Sequence, residues 1–365
     1  MKGAFITGSF VLRPGRGITT NSAVDKSMNA TDSFRSTSDA SVCNSGFPLL
    51  LADVGGTNAR FALETAPGLY EAVAVFPNGD YPSLADAMQA YLSQPAAAAA
   101  GAGLVRHAAF AIANPVEGDL VRMTNSKWAF SIEKIRQQFG FDTFRVVNDF
   151  TALAMAVPLL TPSQTRQVGG GAGVSGKAIG VIGAGTGLGV SGLIPAGGQW
   201  IALESEGGHV TFPPADEKEA ALLRHAWERY PHVSAERLLS GMGLELTYRI
   251  MAEQSGKHAE ALPAPEIARR ALAGECEICD GTIERFCAML GTVAGNLALT
   301  LGARGGIYIG GGIVPRLGER FTNSSFRRRF EQKGRFCSYL EKIPTFVITE
   351  AYPAFIGISA LLARH

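Results

Sequence analysis

The chain has 365 residues, a length that is typical of two domains. With 46% hydrophobic and 18% charged residues it has the composition of a globular protein with a sizeable core, and no run of 18 apolar residues predicts a membrane span. A net charge of only +1 excludes recruitment of nucleic acid or of an anionic membrane by bulk charge.

Residues 1–46 differ in character from the rest of the chain. They are rich in Ser, Thr, Asn and Gly and follow neither a helical nor a strand period. Because such a segment cannot bury enough apolar surface to fold, we predict a disordered extension. Its apolar patch at residues 4–6 is too short for a signal peptide, and the five cysteines lack framework spacing, so we expect reduced thiols in a cytoplasmic protein.

The first predicted motif is a glycine-rich hairpin. An apolar run at residues 48–52 leads into Asp-Val-Gly-Gly-Thr-Asn at residues 53–58, after which a strand-like pattern resumes. Gly55 and Gly56 let the backbone approach a phosphate and direct N–H groups at it, and Asp53 is placed to hold Mg²⁺ directly or through water. The alternative is an ordinary hairpin turn that happens to be rich in glycine.

An alternating α/β pattern follows the hairpin. It predicts strands over residues 71–76, 107–113 and 145–147, helices over residues 83–92, 131–139 and 150–156, and a loop or loose helix over residues 95–104. Ser83 and Ser131 are the expected N-caps. These elements make up one half of an α/β protein.

Asn148 and Asp149 follow directly on the third of these strands. Open α/β sheets place ligands at the carboxyl ends of their strands, so a carboxylate there is a natural general base for an attacking hydroxyl group. The alternative is that Asp149 is the N-cap of the helix over residues 150–156, and it could serve both purposes.

A second glycine-rich hairpin is predicted about 130 residues after the first. The apolar run at residues 178–182 leads into Gly-Ala-Gly-Thr-Gly-Leu-Gly-Val at residues 183–190. Two such hairpins indicate two related halves that hold the phosphates of one nucleotide from opposite sides. Neither hairpin leads into a helix, so neither is a dinucleotide-binding fingerprint.

Residues 169–176 imitate two other nucleotide motifs. Residues 171–176 match G-x-G-x-x-G, and the extension to Lys177 comes within one residue of a P-loop, with Ala178 in place of the Ser or Thr that would bind Mg²⁺. We expect the segment to precede a strand rather than to follow one, and no helix opens after it. We therefore interpret residues 169–176 as a flexible surface linker.

Further polar residues occur in the second half of the chain. Gly207 and Gly208 form a turn that brings Glu206 close to His209, and their polar tips can converge on a small polyol. Glu236 opens a helix, where it could bind a ligand or complement the helix dipole.

The remaining elements of the second half carry fewer chemical signals. Helices dominate residues 217–301, and strands are predicted over residues 306–309, which end in three glycines, and over residues 344–348. The C-x-x-C at Cys276 and Cys279 has no partner pair at zinc-finger spacing, so we interpret both as structural or incidental thiols.

Seven motifs, in order from about residue 49 to residue 359, resemble those of the bacterial glucokinase family, within the hexokinase, actin and Hsp70 superfamily. They are LADVGGTNARFAL, TNSKWAFS, VVNDFTALA, GAGTGLGV, ESEGGHVTF, HVSAERLLSG and GGGIVPR. The resemblance implies two ribonuclease-H-like α/β domains, of the actin-like ATPase type, around a cleft. Residues 47–159 with residues 350–365 would form the smaller domain and residues 160–349 the larger.

The resemblance also implies an activity and its residues. It implies ATP- and Mg²⁺-dependent phosphorylation of D-glucose to glucose 6-phosphate, the first step of glycolysis, by a homodimer, with Asp149 as catalytic base. The implied sugar site consists of Asn125, Ser126, Asn148, Asp149, Glu206, His209 and Glu236. The implied ATP site consists of Ala52, Asp53, Val54, Gly55, Gly56, Thr57, Asn58, Gly183, Gly185, Thr186, Gly187, Gly310, Gly311 and Gly312.

Two other classes of protein share the expected fold. A sugar-responsive regulator without kinase activity would need a helix-turn-helix segment, and the aperiodic residues 1–46 do not supply one. An actin-like filament or chaperone ATPase would keep the phosphate hairpins, but it has no reason to keep Asn148 and Asp149 together with Glu206 and His209.

Overall fold

The computed structural model describes residues 46–124 and 126–363, so the predicted extension lies outside the described residues except for Gly46. The strands are β1 (Leu49–Val54), β2 (Asn58–Ala66), β3 (Leu69–Pro77), β4 (His107–Ile112), β5 (Leu120–Arg122), β6 (Ala129–Ser131), β7 (Thr143–Asn148), β8 (Thr165–Val168), β9 (Ile179–Ala184), β10 (Leu188–Ala196), β11 (Gln199–Leu203), β12 (Gly306–Gly310) and β13 (Thr345–Ile348).

Two of the helices begin directly after the residues that the sequence predicts as N-caps, Ser83 and Ser131. The helices are α1 (Leu84–Leu92), α2 (Pro95–Ala99), α3 (Ile132–Gln138), α4 (Asp149–Ala156), α5 (Glu217–Trp227), α6 (Ala235–Leu238), α7 (Gly241–Gln254), α8 (Ala264–Leu272), α9 (Glu277–Leu301), α10 (Val314–Leu317), α11 (Glu319–Thr322), α12 (Phe326–Glu331), α13 (Cys337–Leu340) and α14 (Pro353–Leu362). Ser83 and Ser131 accept hydrogen bonds from the amides of Asp86 and Lys134, which confirms both predicted N-caps.

The strands form two mixed sheets with the same internal plan. The first has the order β3-β2-β1-β4-β7 and the second the order β11-β10-β9-β12-β13-β8. In each sheet a hairpin (β1–β2 or β9–β10) is antiparallel, and its first strand pairs in parallel with the next strand (β4 or β12). This repetition confirms the prediction of an α/β fold with two related halves. The domain boundaries stay a prediction.

Helix α4 lies between the two sheets and packs on both. On one side Ala152 shares a core with Leu51 of β1 and with Phe355 of α14. On the other side Leu153 shares a core with Val181 of β9. Helix α14 approaches α4 closely because Gly357 has no side chain, since a Cβ there would run into the carbonyl oxygen of Ala152. The chain therefore returns to the first sheet at residues 353–362.

The surface segment at residues 169–176 differs in one respect from our expectation. Strand β8 does precede it, contrary to the prediction, but strand β9 rather than a helix follows, so it is neither a P-loop nor a dinucleotide fingerprint. The segment is held to the body of the protein by backbone hydrogen bonds from Ala172 to Lys342 and from Val174 to Arg304.

Across the described residues, no helix combines the length and apolar character that a membrane crossing needs.

Candidate functional site

A cavity of about 320 Å³ lies where β7, the β9–β10 turn and the segment after β11 meet. Five of the residues predicted for the sugar site line it together, namely Asn148, Asp149, Glu206, His209 and Glu236. Gly183, Gly185, Thr186, Gly187 and Gly311 of the predicted ATP site line the same cavity. The fold thus brings together residues that lie as far apart in the chain as Asn148 and Gly311.

The sequence left two roles open for Asp149, general base and N-cap of α4, and in the structure Asn148 takes the second. The side-chain oxygen of Asn148 accepts hydrogen bonds from the amides of Phe150 (2.8 Å) and Thr151 (3.2 Å), so Asn148 is the N-cap of α4. The alternative that Asp149 is the N-cap of this helix is therefore wrong. Asp149 is the first helical residue, and one of its oxygens accepts from the amide of Phe150 at 2.9 Å.

The surroundings of Asp149 favour its protonated form. Burial raises the pKa of Asp149 to about 7, with a further contribution from the negative charge of Asp53, although hydrogen bonds from backbone amides oppose the shift. Glu206 adds a smaller effect in the same direction. A carboxyl group that titrates near neutral pH is suited to accept a proton in catalysis.

Glu206, His209 and Glu236 form a chain of polar contacts along one wall. A short turn at Gly207–His209 brings Nε2 of His209 to 3.7 Å from Oε2 of Glu206, as the two glycines predict. Nδ1 of His209 lies 3.9 Å from Oε1 of Glu236. The side chains of Glu206 and His209 are more than half exposed, so their polar atoms are accessible to a ligand.

Glu236 also holds the second hairpin. Its Oε2 accepts a hydrogen bond from the amide of Leu188 at 3.0 Å, and a Cβ at Gly187 would collide with this oxygen. The amide of Gly185 donates to the carbonyl of Gly187 at 2.8 Å. Among the described residues, the N–H groups of Thr186 and Gly187 find no acceptor, so they are available to a ligand in the cavity.

Asn78, which the sequence analysis did not identify, holds the first hairpin. Its side-chain amide donates to the carbonyl of Gly55 at 2.8 Å, and its backbone amide donates to the carbonyl of Thr57 at 2.8 Å. In a trans peptide the N–H points away from the carbonyl, so the first bond turns the N–H of Gly56 away from Asn78. Within the described chain the N–H groups of Gly56 and Thr57 have no acceptor.

Both hairpin turns border a second cavity of about 650 Å³. Gly56, Thr57, Gly185, Thr186 and Gly312 line it on one side, and Met242, Leu244, Ala264, Pro265, Ala268 and Ile313 form an apolar wall. No local sequence pattern predicts this wall, because its residues come from separate helices. Gly183 and Gly310 instead pack against each other, since a Cβ at Gly183 would lie 2.6 Å from the backbone of Gly310.

Asp53 is the polar residue of an otherwise buried strand β1. Arg60 on β2 lies opposite it in the hairpin, with Nη1 at 3.2 Å from Oδ2 of Asp53. Burial raises the pKa of Asp53, and the positive charge of Arg60 counteracts the shift only in part. The neighbouring residues Ala52 and Val54 are completely buried, so their side chains reach no ligand. Asn58, which is also predicted for the ATP site, is the exposed first residue of β2.

Ser126 lies apart from the other predicted sugar-site residues, and Asn125 lies outside the described residues. Ser126 lines a third cavity, of about 570 Å³, which also borders Gly56 and Thr57. It does not line the cavity of Asp149, because its hydroxyl turns back to the amide of Trp128 at 3.3 Å.

Asn114 and Thr124 occupy the place beside Asp149 that we expected for Ser126. The side-chain oxygen of Asn114 accepts from both the amide (2.9 Å) and the hydroxyl (2.6 Å) of Thr124. Asn114 follows β4, which is parallel to β7, so the rule that predicted Asn148 and Asp149 at a strand end could also have found it.

The glucokinase family model matches residues 50–365 of this chain. The glucokinase of Chromobacterium violaceum is 54% identical over 319 residues, which are 87% of this chain and 90% of that protein. The bifunctional protein glk of Burkholderia pseudomallei is 58% identical over 319 residues, which are 87% of this chain and 49% of that protein. A solved glucokinase from an Antarctic psychrotroph has a TM-score of 0.77 at 38% identity, over 88% of this chain and 100% of the other.

Two sheets that each present a glycine-rich hairpin to the same 650 Å³ cavity define the actin-like ATPase fold, as predicted. Within this class, the chain belongs to the glucokinase family. It spans about half the length of the Burkholderia proteins that it matches.

Proposed function

We propose that this chain phosphorylates the 6-hydroxyl of D-glucose with ATP, giving glucose 6-phosphate and ADP. The observation that carries the proposal is the position of Asp149. A carboxyl group with a pKa of about 7 lines one cavity with polar side chains suited to a polyol and with the turn of a glycine-rich hairpin. Membership of the glucokinase family supports the same substrate pair.

Asn148, Glu206, His209 and Glu236 would bind the sugar hydroxyls in this mechanism. Their amide, carboxylate and imidazole groups offer both donors and acceptors along one wall of the cavity. Asp149 would accept the proton of the 6-hydroxyl while the oxygen attacks the γ-phosphorus of ATP. Proton transfer to a positioned base typically contributes about 10²–10⁴-fold to the rate.

The two hairpins would bind the phosphates of ATP from opposite sides. The N–H groups of Gly56, Thr57, Thr186 and Gly187 have no acceptor among the described residues, and donors that are already oriented stabilise developing negative charge. The apolar wall of the 650 Å³ cavity would hold the adenine ring, with Gly312 beside the adenosine. Gly310 and Gly311 would support the loop that contains Gly312, because they pack closely against Gly183 and Ala184 of β9.

Mg²⁺ fits the charge of the site. Burial raises the pKa of both Asp53 and Asp149, and the negative charge of Asp53 adds to the shift at Asp149, so a cation bound here would stabilise both carboxylates. Arg60 is the cation that pairs with Asp53. Mg²⁺ in phosphoryl-transfer sites typically takes one or two carboxylates together with water and phosphate oxygens. Asp53 would hold the ion, which supplies charge neutralisation to the phosphates when it is bound.

The proposal extends to the whole molecule in two respects. Closure of a domain of residues 47–159 and 350–365 onto residues 160–349 would exclude water, so that glucose rather than water accepts the phosphoryl group. The active form would be a homodimer, whose mass can be measured by light scattering.

A coupled assay with glucose, fructose and mannose tests the proposal. We expect ATP-dependent formation of glucose 6-phosphate, with kcat/KM for glucose above that for the other two hexoses. Isothermal titration with glucose provides the second measurement. Glucose binding without turnover would contradict the proposal and favour a regulator on the same fold, and ATP hydrolysis without glucose binding would favour a filament or chaperone ATPase.

A further inference from the structure

Cys276 and Cys279 lie together at the start of the 25-residue helix α9. Cys276 is the N-cap of this helix, and its sulfur accepts a hydrogen bond from the amide of Cys279 at 3.4 Å. Cys276 is partly exposed, whereas Cys279 is completely buried, and both are free thiols. An N-cap residue and the third helical residue face each other across the first turn, so the two sulfurs are neighbours.

The two thiols differ in chemical character. Although burial opposes the shift, hydrogen bonds from the amide and thiol of Cys279 lower the pKa of Cys276, and Arg270 acts in the same direction. Burial raises the pKa of Cys279 to about 12, and its hydrogen bond to Cys276 adds to this effect. An accessible thiol with thiolate character therefore lies beside a buried thiol that can serve as its second partner.

We propose that Cys276 and Cys279 form a reversible dithiol–disulfide site that reacts with low-molecular-weight disulfides. The thiolate of Cys276 attacks one sulfur of the disulfide RSSR, which forms a mixed disulfide and releases RS⁻. The thiol of Cys279 then loses its proton and attacks the sulfur of Cys276, which closes the internal disulfide and releases the second RS⁻. Two protein thiols are oxidised, and one RSSR is reduced to two RSH.

The two cysteines pack against helix α8, which borders the 650 Å³ cavity. Cys279 and the partly buried Cys276 pack in the same core as Ile267 and Ala271 of α8. The first turn of α8 contributes Ala264 and Pro265 to the apolar wall of the 650 Å³ cavity. Closing the disulfide would therefore act on the helix that borders the proposed nucleotide site.

The test is oxidation of the full-length protein by glutathione disulfide, followed by peptide mass spectrometry. All samples carry Cys43→Ser, which removes a cysteine outside the described residues. With both thiols present we expect an internal Cys276–Cys279 disulfide that dithiothreitol reverses. In Cys279→Ala we expect a stable glutathione adduct on Cys276, formed about tenfold faster than on Cys337.

Cys337 is the matched control, because it is also partly exposed but its thiol donates to Glu341 rather than accepting from an amide. Cys276→Ser should abolish the disulfide and still fold, since Ser is a good N-cap. The proposal is overturned if the protein with both thiols keeps them free under oxidation. It is equally overturned if Cys337 in Cys279→Ala reacts as fast as Cys276.

Discussion

Asp149 depends on its neighbours for both its position and its chemistry. Asn148 supplies the hydrogen bonds that begin α4, so Asp149 is not required for capping. We therefore expect Asp149→Asn to retain its fold and to bind MgATP, while kcat for glucose phosphorylation falls about 10²–10⁴-fold because the proton acceptor is lost. Steady-state kinetics and thermal melting check this, and a large loss of Tm with unchanged kcat would contradict it.

The raised pKa of Asp149 predicts the pH dependence of the reaction. As a base, Asp149 acts only when it is deprotonated, so kcat/KM should be low at pH 5 and should rise as the pH passes through about 7. Glu206→Gln removes one of the negative charges that raise this pKa, so its profile should shift to lower pH. Profiles measured from pH 5 to pH 9 would contradict the assignment if they were flat.

Glu206 and His209 are expected to serve the sugar rather than the nucleotide. Their side chains line the cavity of Asp149 but not the 650 Å³ cavity. Glu206→Gln and His209→Ala should therefore raise KM for glucose by more than KM for ATP, with a loss of about 1–3 kcal/mol per missing hydrogen bond. Equal changes in both KM values would indicate that the turn has a structural role.

At the scale of elements, each of the two hairpin turns is held by a hydrogen bond to a side chain outside the hairpin. In each, a side chain from elsewhere in the chain fixes the turn, Asn78 in the first and Glu236 in the second. Asn78→Ala should raise KM for ATP about tenfold, because the peptide that presents the N–H of Gly56 is no longer held. KM for glucose should change much less, and kinetics with each substrate varied in turn measures the difference.

The matched control for Asn78→Ala is Thr345→Val. Thr345 is completely buried, and its hydroxyl donates to the carbonyl of Val168, so this variant also loses a buried side-chain hydrogen bond. It lies in the second sheet and lines neither the 320 Å³ nor the 650 Å³ cavity. If both variants raised KM for ATP equally, the effect would come from reduced stability and not from the hairpin.

Local patterns predicted the elements but not all of the contacts between them. Both hairpins and the caps at Ser83 and Ser131 follow from residues close in sequence, and the structure contains them. Ser126 does not line the cavity of Asp149, because its hydroxyl accepts a hydrogen bond from the amide of Trp128 two residues away. Asn78 is 23 residues from the carbonyl that it holds, so no local pattern identifies it.

At the scale of the whole molecule, the family match and the described fold both begin near residue 50. We expect deletion of residues 1–46 to leave kcat and KM within about twofold of the full chain, since the composition of this segment predicts no contribution to a core. Comparison of the two purified proteins in the coupled assay checks this. A shortened protein that fails to fold would contradict it.

Helix α4 has a consequence for any movement of the two sheets. It packs on the first sheet through Ala152 and on the second through Leu153, so in the proposed closure it would lie near the axis of rotation. Atoms near an axis of rotation are displaced least when the rotation takes place. Asp149, at the first position of this helix, would stay almost stationary while the hairpins swing, and closure would bring both substrates to a fixed base.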